Sequence, residues 1–300
     1  VEARKSDPPR IIPTFIKGDD RSGKYEGAYV GEPKPGFQEN VISFDANSLY
    51  PSVMVTLNLS PETKVGSIVG TDNGRVYIKT VNNKDIEMSY SDFNKWCTKN
   101  DIAVTRAKKL FSQKTKGIFP RITDHFYDIR KGKKQQWNEA REKKHQLSLE
   151  LKKEKSQTEK EKLKKKIVET QFKIDQLWIW QFTLKILINR IYGYFGNKNS
   201  AMADGDIARS ITLTGRDVIK QSNIILRDYI KRKTNLTDKD LEKNDPIIYN
   251  DTDSSYCTIT PLLDHKGISL HKDNNINEKV YTLVQDIEDD LNVHIEKWAR

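Results

Sequence analysis

The chain has 300 residues, with 52 Lys or Arg against 42 Asp or Glu and a formal net charge of +10. That length can bury a hydrophobic core without staples, and the two widely separated cysteines, Cys97 and Cys257, fit a reducing compartment rather than a disulfide scaffold. No run reaches the roughly 18 apolar residues of a membrane span, so a soluble, cytoplasmic protein is expected. The basic balance favours a polyanionic partner. It is also local: from Arg130 to Lys166 there are fifteen basic residues against six glutamates.

In chain order, residues 1–24 are polar and interrupted by Pro8, Pro9 and Pro13, which reads as a linker or arm. Val41 to Phe44 forms a short apolar strand ending at Asp45, and Pro51 then stands in a helical first turn. Val65–Val69 and Val76–Val81 flank Asp72-Asn73-Gly74, a hairpin signal that opens a small antiparallel region. Long helices are expected over Asp124–Leu151 and Thr158–Ile191, folded back near Ser156. Leu163, Ile167, Ile174, Leu177, Leu184 and Ile188 recur at helical spacing, with Thr170 and Gln181 in the gaps. Another helix runs from Gly205 to Ile230. Strands at 246–249 and 255–259 enclose the acidic turn Asn250-Asp251-Thr252-Asp253. A last helix, Glu278 to Trp298, carries Val280, Val284, Ile287, Leu291, Ile295 and Trp298 on one face.

Asp45 and Asp253 both stand where an apolar strand stops. An isolated Asp there is ordinarily a cap or turn residue. If the two strands are sheet neighbours, however, the acids converge, and paired hard-oxygen ligands of this kind suit Mg²⁺.

Three segments carry a resemblance. Asp45-Ala46-Asn47-Ser48-Leu49-Tyr50-Pro51-Ser52 resembles the first signature motif of family B DNA polymerases, Lys185-Ile186-Leu187-Ile188-Asn189-Arg190-Ile191-Tyr192-Gly193 the second, and Tyr249-Asn250-Asp251-Thr252-Asp253-Ser254 the third. They occur in the family's order. Tyr25-Glu26-Gly27-Ala28 is similar to the element before the first motif, and Asn58-Leu59-Ser60-Pro61-Glu62-Thr63 points to T-even-type bacteriophage enzymes.

The resemblance implies an α+β fold: a palm with an antiparallel sheet backed by helices at 25–116 and 198–300, and a helical-hairpin fingers insertion at 117–197. It implies Mg²⁺-dependent transfer of deoxynucleotides onto a primer 3′-hydroxyl in a viral protein of the host cytoplasm. Asp45 and Asp253 become catalytic, metal-binding carboxylates joined by the carbonyl of Ala46, with two Mg²⁺ ions; Asp251 and Thr252 support them. Ser48 and Leu49 offer backbone N–H groups to the triphosphate. Tyr50 excludes a ribose 2′-hydroxyl, although it reads equally as a core aromatic. Arg130, Lys134, Lys185 and Asn189 grip the nucleotide; Tyr192, Gly193, Tyr25 and Gly27 lie near the nascent base pair or DNA. The partners are primer-template DNA, deoxynucleoside triphosphates, exonuclease and thumb segments missing from this sequence, and a sliding clamp reached through absent regions.

The chain departs from the pattern at Arg190, where the second motif has a small residue, and at Asn250, where the third has Gly; Asn suits a left-handed turn there. The basic positions from Arg141 to Lys166 read as solvated helix surface. So do the acids of Asp286-Ile287-Glu288, which match an exonuclease pattern in the wrong place. The rival reading is a catalytically silent module that binds nucleic acid or a partner polymerase chain.

Overall fold

The computed structural model describes residues 27–272 and 275–299. The linker reading of 1–24 and the role given to Tyr25 lie outside the described residues. The rest mixes long helices with antiparallel sheets, an α+β composition. It divides into two compact units: Met54–Val104 with Lys108–Ala208, and 27–53 with Thr105–Ala107 and 209–299.

The first unit is built on β2 (Lys64–Asp72), β3 (Arg75–Thr80), β4 (Asp85–Ser89), β5 (Ile102–Val104) and β6 (Lys109–Ser112), in the antiparallel order β4-β3-β2-β6-β5. Asn73 and Gly74 close the β2–β3 hairpin with φ of 45° and 76°. Positive φ at both central positions matches the twist of the flanking strands, as the Asp-Asn-Gly sequence leads one to expect. Helix α2 (Tyr90–Asn100), capped by Ser89, contributes Phe93 and Trp96 to a core with Val76, Ile78 and Leu110.

The Asn58–Thr63 segment proves to be a buried knot that starts the next helix, α3 (Ile118–Lys153). Asn58 Nδ2 donates to the carbonyls of Ser112 at 2.6 Å and Thr115 at 2.9 Å, and its Oδ1 accepts from Gly117 N at 2.7 Å. Glu62 accepts from Ile118 N at 2.6 Å, so a carboxylate stands at the positive end of the helix. A Cβ on Gly117 would lie 2.6 Å from the Ser60 Cβ, which excludes any larger residue there.

Only Glu154 to Ser156 separate α3 from α4 (Gln157–Gly196), so the chain doubles back where Ser156 was expected to mark the turn. Both helices run several residues past the expected limits. The anticipated stripe is the packed one: Thr170, Ile174, Leu177, Leu184 and Ile188 are buried, and Ala140 of α3 packs with Ile174 and Leu177. Farther along, Asp204 accepts from the amides of Asp206 and Ile207, both at 3.0 Å, and so caps the start of α5 (Gly205–Lys233). Lys64 and Lys109 reach Asp206 at 2.6 and 2.8 Å.

The second unit holds a three-stranded antiparallel sheet, β1 (Val41–Asp45), β8 (Ser254–Thr258) and β7 (Ile247–Asp251), in that order. Leu226, Tyr229 and Ile230 of α5 pack with Ile247, Cys257 and with Val280, Leu283 and Ile287 of α6 (Glu278–Ala299). Burial pushes the Cys257 thiol up to about 12, so it behaves as a core hydrophobe. Arg227 holds Asp245 through two nitrogens, at 2.9 and 2.7 Å, fastening α5 to the entry of β7. Ile224 of this helix faces solvent, while Ile219, Ile225 and Tyr229 are buried.

Candidate active site

The strand order answers the question the two acids posed. β1 and β8 pair in the register Phe44 with Ser255 and Asp45 with Ser254, and one step farther Ala46 N donates to Asp253 O at 2.7 Å. The sheet therefore brings together the two strand ends that carry Asp45 and Asp253. Both acids line one cavity of about 500 Å³ with Ala46, Ser222 and Ser255.

The turn between β7 and β8 explains how Asp253 is presented. Thr252 adopts φ 54°, and Asp253 N folds back on Asp251 O at 2.5 Å. This left-handed residue is the one the turn needs. Asn250, expected to supply it, instead lies extended within β7 opposite Ser255, because the tight reversal falls two residues later. Asp251 is exposed at the strand end, with its Oδ1 accepting from Thr252 Oγ1 at 3.0 Å. Outside β7 runs the segment after Gly27: Gly31 N donates to Asn250 O at 3.0 Å and Thr252 N to Tyr29 O at 2.9 Å. Gly27 is itself exposed, and its carbonyl accepts from Arg216 at 3.4 Å.

Asp45 is held by hydroxyls. Ser254 Oγ donates to Oδ1, and Ser43 Oγ to Oδ2 at 3.2 Å. Among the described residues no lysine or arginine pairs with it. Asp45, Asp253 and the Ala46 carbonyl are hard oxygen donors, the type of group that could hold Mg²⁺. No group of three or more His, Cys, Asp or Glu side chains with metal-ligand geometry occurs among the described residues.

After β1 the chain turns through Ser48, at φ 55°, into α1 (Leu49–Thr56), and Ser52 N donates back to Ser48 O at 2.9 Å. Leu49 is buried. Tyr50 is half-buried on α5, over Gly215: a Cβ on that glycine would stand 2.9 Å from the Tyr50 ring and 3.3 Å from Leu49. Gly215 is thus the position that lets the tyrosine lie flat.

In the other unit, Lys185 and Asn189 are exposed and four apart on α4, and Tyr192 follows three later on the same face, half-buried. Gly193 is exposed beside it. On α3, Lys134 is exposed and Arg130 half-buried, again four apart. Arg190 is exposed and lies off the packed stripe.

Sequence reasoning passed over Ser43, Ser254, Gly215 and Asn223, because single serines, glycines and asparagines carry no spacing signal. The reading of Glu288 as surface holds. That side chain is exposed, yet it lines the same cavity as Asp45 and Asp253, while Ile287 beside it is buried as expected.

The chain matches the family model described as DNA polymerase family B over residues 6–155 and 154–291. It is 29% identical over 207 residues to a DNA polymerase of Orf virus (strain NZ2), an alignment covering 68% of this chain and 18% of the relative. It is 25% identical over 268 residues to DNA polymerase 1 of Pyrococcus abyssi, covering 89% of this chain and 24% of the relative. It is also 25% identical over 280 residues to DNA polymerase 120R of Invertebrate iridescent virus 3, covering 82% and 22%. The chain thus spans about a quarter or less of each of these relatives. No helix among the described residues is long and apolar enough to cross a membrane.

Proposed function

Because this chain belongs to DNA polymerase family B, we propose that it carries the nucleotidyl-transfer core of a template-directed DNA polymerase, with Asp45 and Asp253 as its catalytic carboxylates. The observation that supports this reading is the pairing of β1 with β8, which gathers both acids at one cavity. On this reading 27–116 and 198–299 are palm and the α3–α4 hairpin is the fingers insertion.

Asp45, Asp253 and the Ala46 carbonyl would hold two Mg²⁺ ions, with Asp251 and Thr252 shaping the turn beside them. When bound, such ions lower the pKa of a primer hydroxyl and neutralise charge on departing pyrophosphate. The reaction is an in-line displacement: the primer 3′-hydroxyl gives up its proton to solvent, its oxygen forms a bond to the α-phosphorus, the bond from that phosphorus to the bridging oxygen breaks, and pyrophosphate leaves. Ser48 and Leu49 present amides at the start of α1, where the helix favours anions. Lys185, Asn189, Arg130 and Lys134 bind the triphosphate, and the guanidinium can do so bidentately. Tyr50, supported by Gly215, fills the space of a ribose 2′-hydroxyl. Tyr192, Gly193 and Gly27 lie along the base pair and DNA.

Primer extension tests the proposal, with the chain alone and then joined to flanking polymerase segments. Wild type should incorporate deoxynucleotides in at least one setting, and Asp253→Ala should incorporate none. Full activity in that variant removes the site; no activity in wild type under either condition favours a silent binding module.

A further inference from the structure

Beneath the β7–β8 turn lies a buried polar network that the reaction itself does not use. Asn223, on α5, and Asn250, in β7, are 5% and 3% exposed. Their amides pair reciprocally: Asn223 Nδ2 donates to Asn250 Oδ1 at 2.9 Å, and Asn250 Nδ2 donates to Asn223 Oδ1 at 3.1 Å. Ser255, 1% exposed, closes a triangle, donating to Asn223 Oδ1 at 3.0 Å and accepting from Asn250 Nδ2 at 2.9 Å. Asn250 Nδ2 also reaches the Ser254 carbonyl at 3.3 Å, and Ser254 Oγ donates to the Asp45 carboxylate. Hydrogen bonds on either side of Ser254, linked through that residue's own covalent frame, thus connect α5 to Asp45. On the other side of β7, Gly31 N donates to Asn250 O, and a Cβ on Gly31 would stand 3.3 Å from Asn250 Oδ1.

We propose that Asn223 and Asn250 are positioning residues that clamp the β7–β8 hairpin to α5 and so fix the spacing of Asp253 and Asp45 for cation binding. The inference rests on the reading of those acids as metal ligands. A reciprocal amide pair has one geometry in which both donors and both acceptors are satisfied. In a buried setting any slip of the hairpin along the helix leaves polar groups without partners. The Arg227–Asp245 pair and the packing of Ile247 and Cys257 on α5 hold the end of the hairpin away from the turn; nearer the turn, whose residues are exposed or half-buried, Asn250 and Ser255 bond to Asn223 of α5. A glycine at 250, the residue of the family's third motif, could not take part. In this chain the side chain at 250 and its partner at 223 therefore work as a unit.

The test uses the whole chain with Mn²⁺ as the probe. Mn²⁺ affinity is read by electron paramagnetic resonance, melting by calorimetry, and exchange of the Thr252 and Asp253 amides by mass spectrometry. Asn223→Ala should weaken Mn²⁺ binding about tenfold and speed that exchange. The double variant Asn223→Ala/Asn250→Gly removes both amides, so it should regain part of the melting temperature lost in the single variant while its Mn²⁺ affinity stays low. Wild-type Mn²⁺ affinity in a folded single or double variant, or affinity that merely follows melting temperature, overturns the proposal. Should Asn223→Ala not fold, Ser255→Ala replaces it, with a loss of about threefold expected and an unchanged affinity contradictory. If Asp253→Ala leaves wild-type Mn²⁺ binding intact, the metal-ligand reading itself fails, a result distinct from failure of the clamp.

Discussion

Ala46 donates its backbone N–H to the carbonyl oxygen of Asp253 at 2.7 Å, one step past the register pair Asp45 with Ser254. Main-chain pairing therefore holds the two strand ends side by side, and each carboxylate is carried on that ladder as a side chain. Substitution of either carboxylate should leave that ladder intact, so chemistry and folding can be separated by experiment.

Tyr50 supplies one such separation. On the proposed reading its ring limits the sugar, and Gly215 supports the ring from below. Tyr50→Ala should raise the ribonucleotide-to-deoxyribonucleotide ratio of kcat/KM by about tenfold or more, the scale of a lost packing contact. Gly215→Ala favours the helix by about 1 kcal/mol in propensity but drives a Cβ into the ring, so sugar discrimination should change there as well. Single-nucleotide incorporation assays check both; unchanged discrimination in Tyr50→Ala removes the steric role.

Lys185 and Asn189 share an exposed face of α4 that does not contribute to its packing against α3. Lys185→Ala should lower kcat/KM for the incoming nucleotide by about 10- to 100-fold, as loss of a charge-assisted phosphate contact does. Melting temperature should barely change. Steady-state kinetics beside a thermal melt would reveal a structural role instead, through a fall in stability of matching size.

Asp206 governs a response to acid. Burial raises its pKa, but Lys64 and Lys109 more than offset this, so its carboxyl lies below the usual carboxylate range. A group depressed in the folded state contributes stability that is complete above its unfolded pKa of about 3.9 and lost as pH falls through the folded value. Below about pH 4 the wild type should therefore lose this contribution. Asp206→Asn should cost about 1–3 kcal/mol near neutrality and show a flatter decline into acid. Urea titrations at pH 7 and pH 3.5 decide between the two slopes.

Much of this architecture was legible because its signals are periodic or punctuated. The α4 stripe from Thr170 to Ile188 obeyed helical spacing, and Asn73-Gly74 marked its hairpin through the left-handed backbone it allows. The meeting of Asp45 with Asp253 stayed conditional at the level of sequence, since pairing between strands so far apart in the chain leaves no local trace. The β4–β6 strands and α2 were not separated, being short and weakly patterned. Asn250 shows the limit most clearly. Its identity suggested a turn, while its burial against Asn223, which depends on a distant helix, gave it a different task.

On the proposed reading Asp45 and Asp253 together hold divalent cations. Crystals of the chain with primer-template DNA, a non-hydrolysable deoxynucleotide and Mn²⁺ would test it through anomalous scattering. Peaks are expected within roughly 2.0–2.3 Å of carboxylate oxygens from both acids and of the Ala46 carbonyl. Mn²⁺ bound elsewhere, with neither carboxylate coordinated, would contradict it.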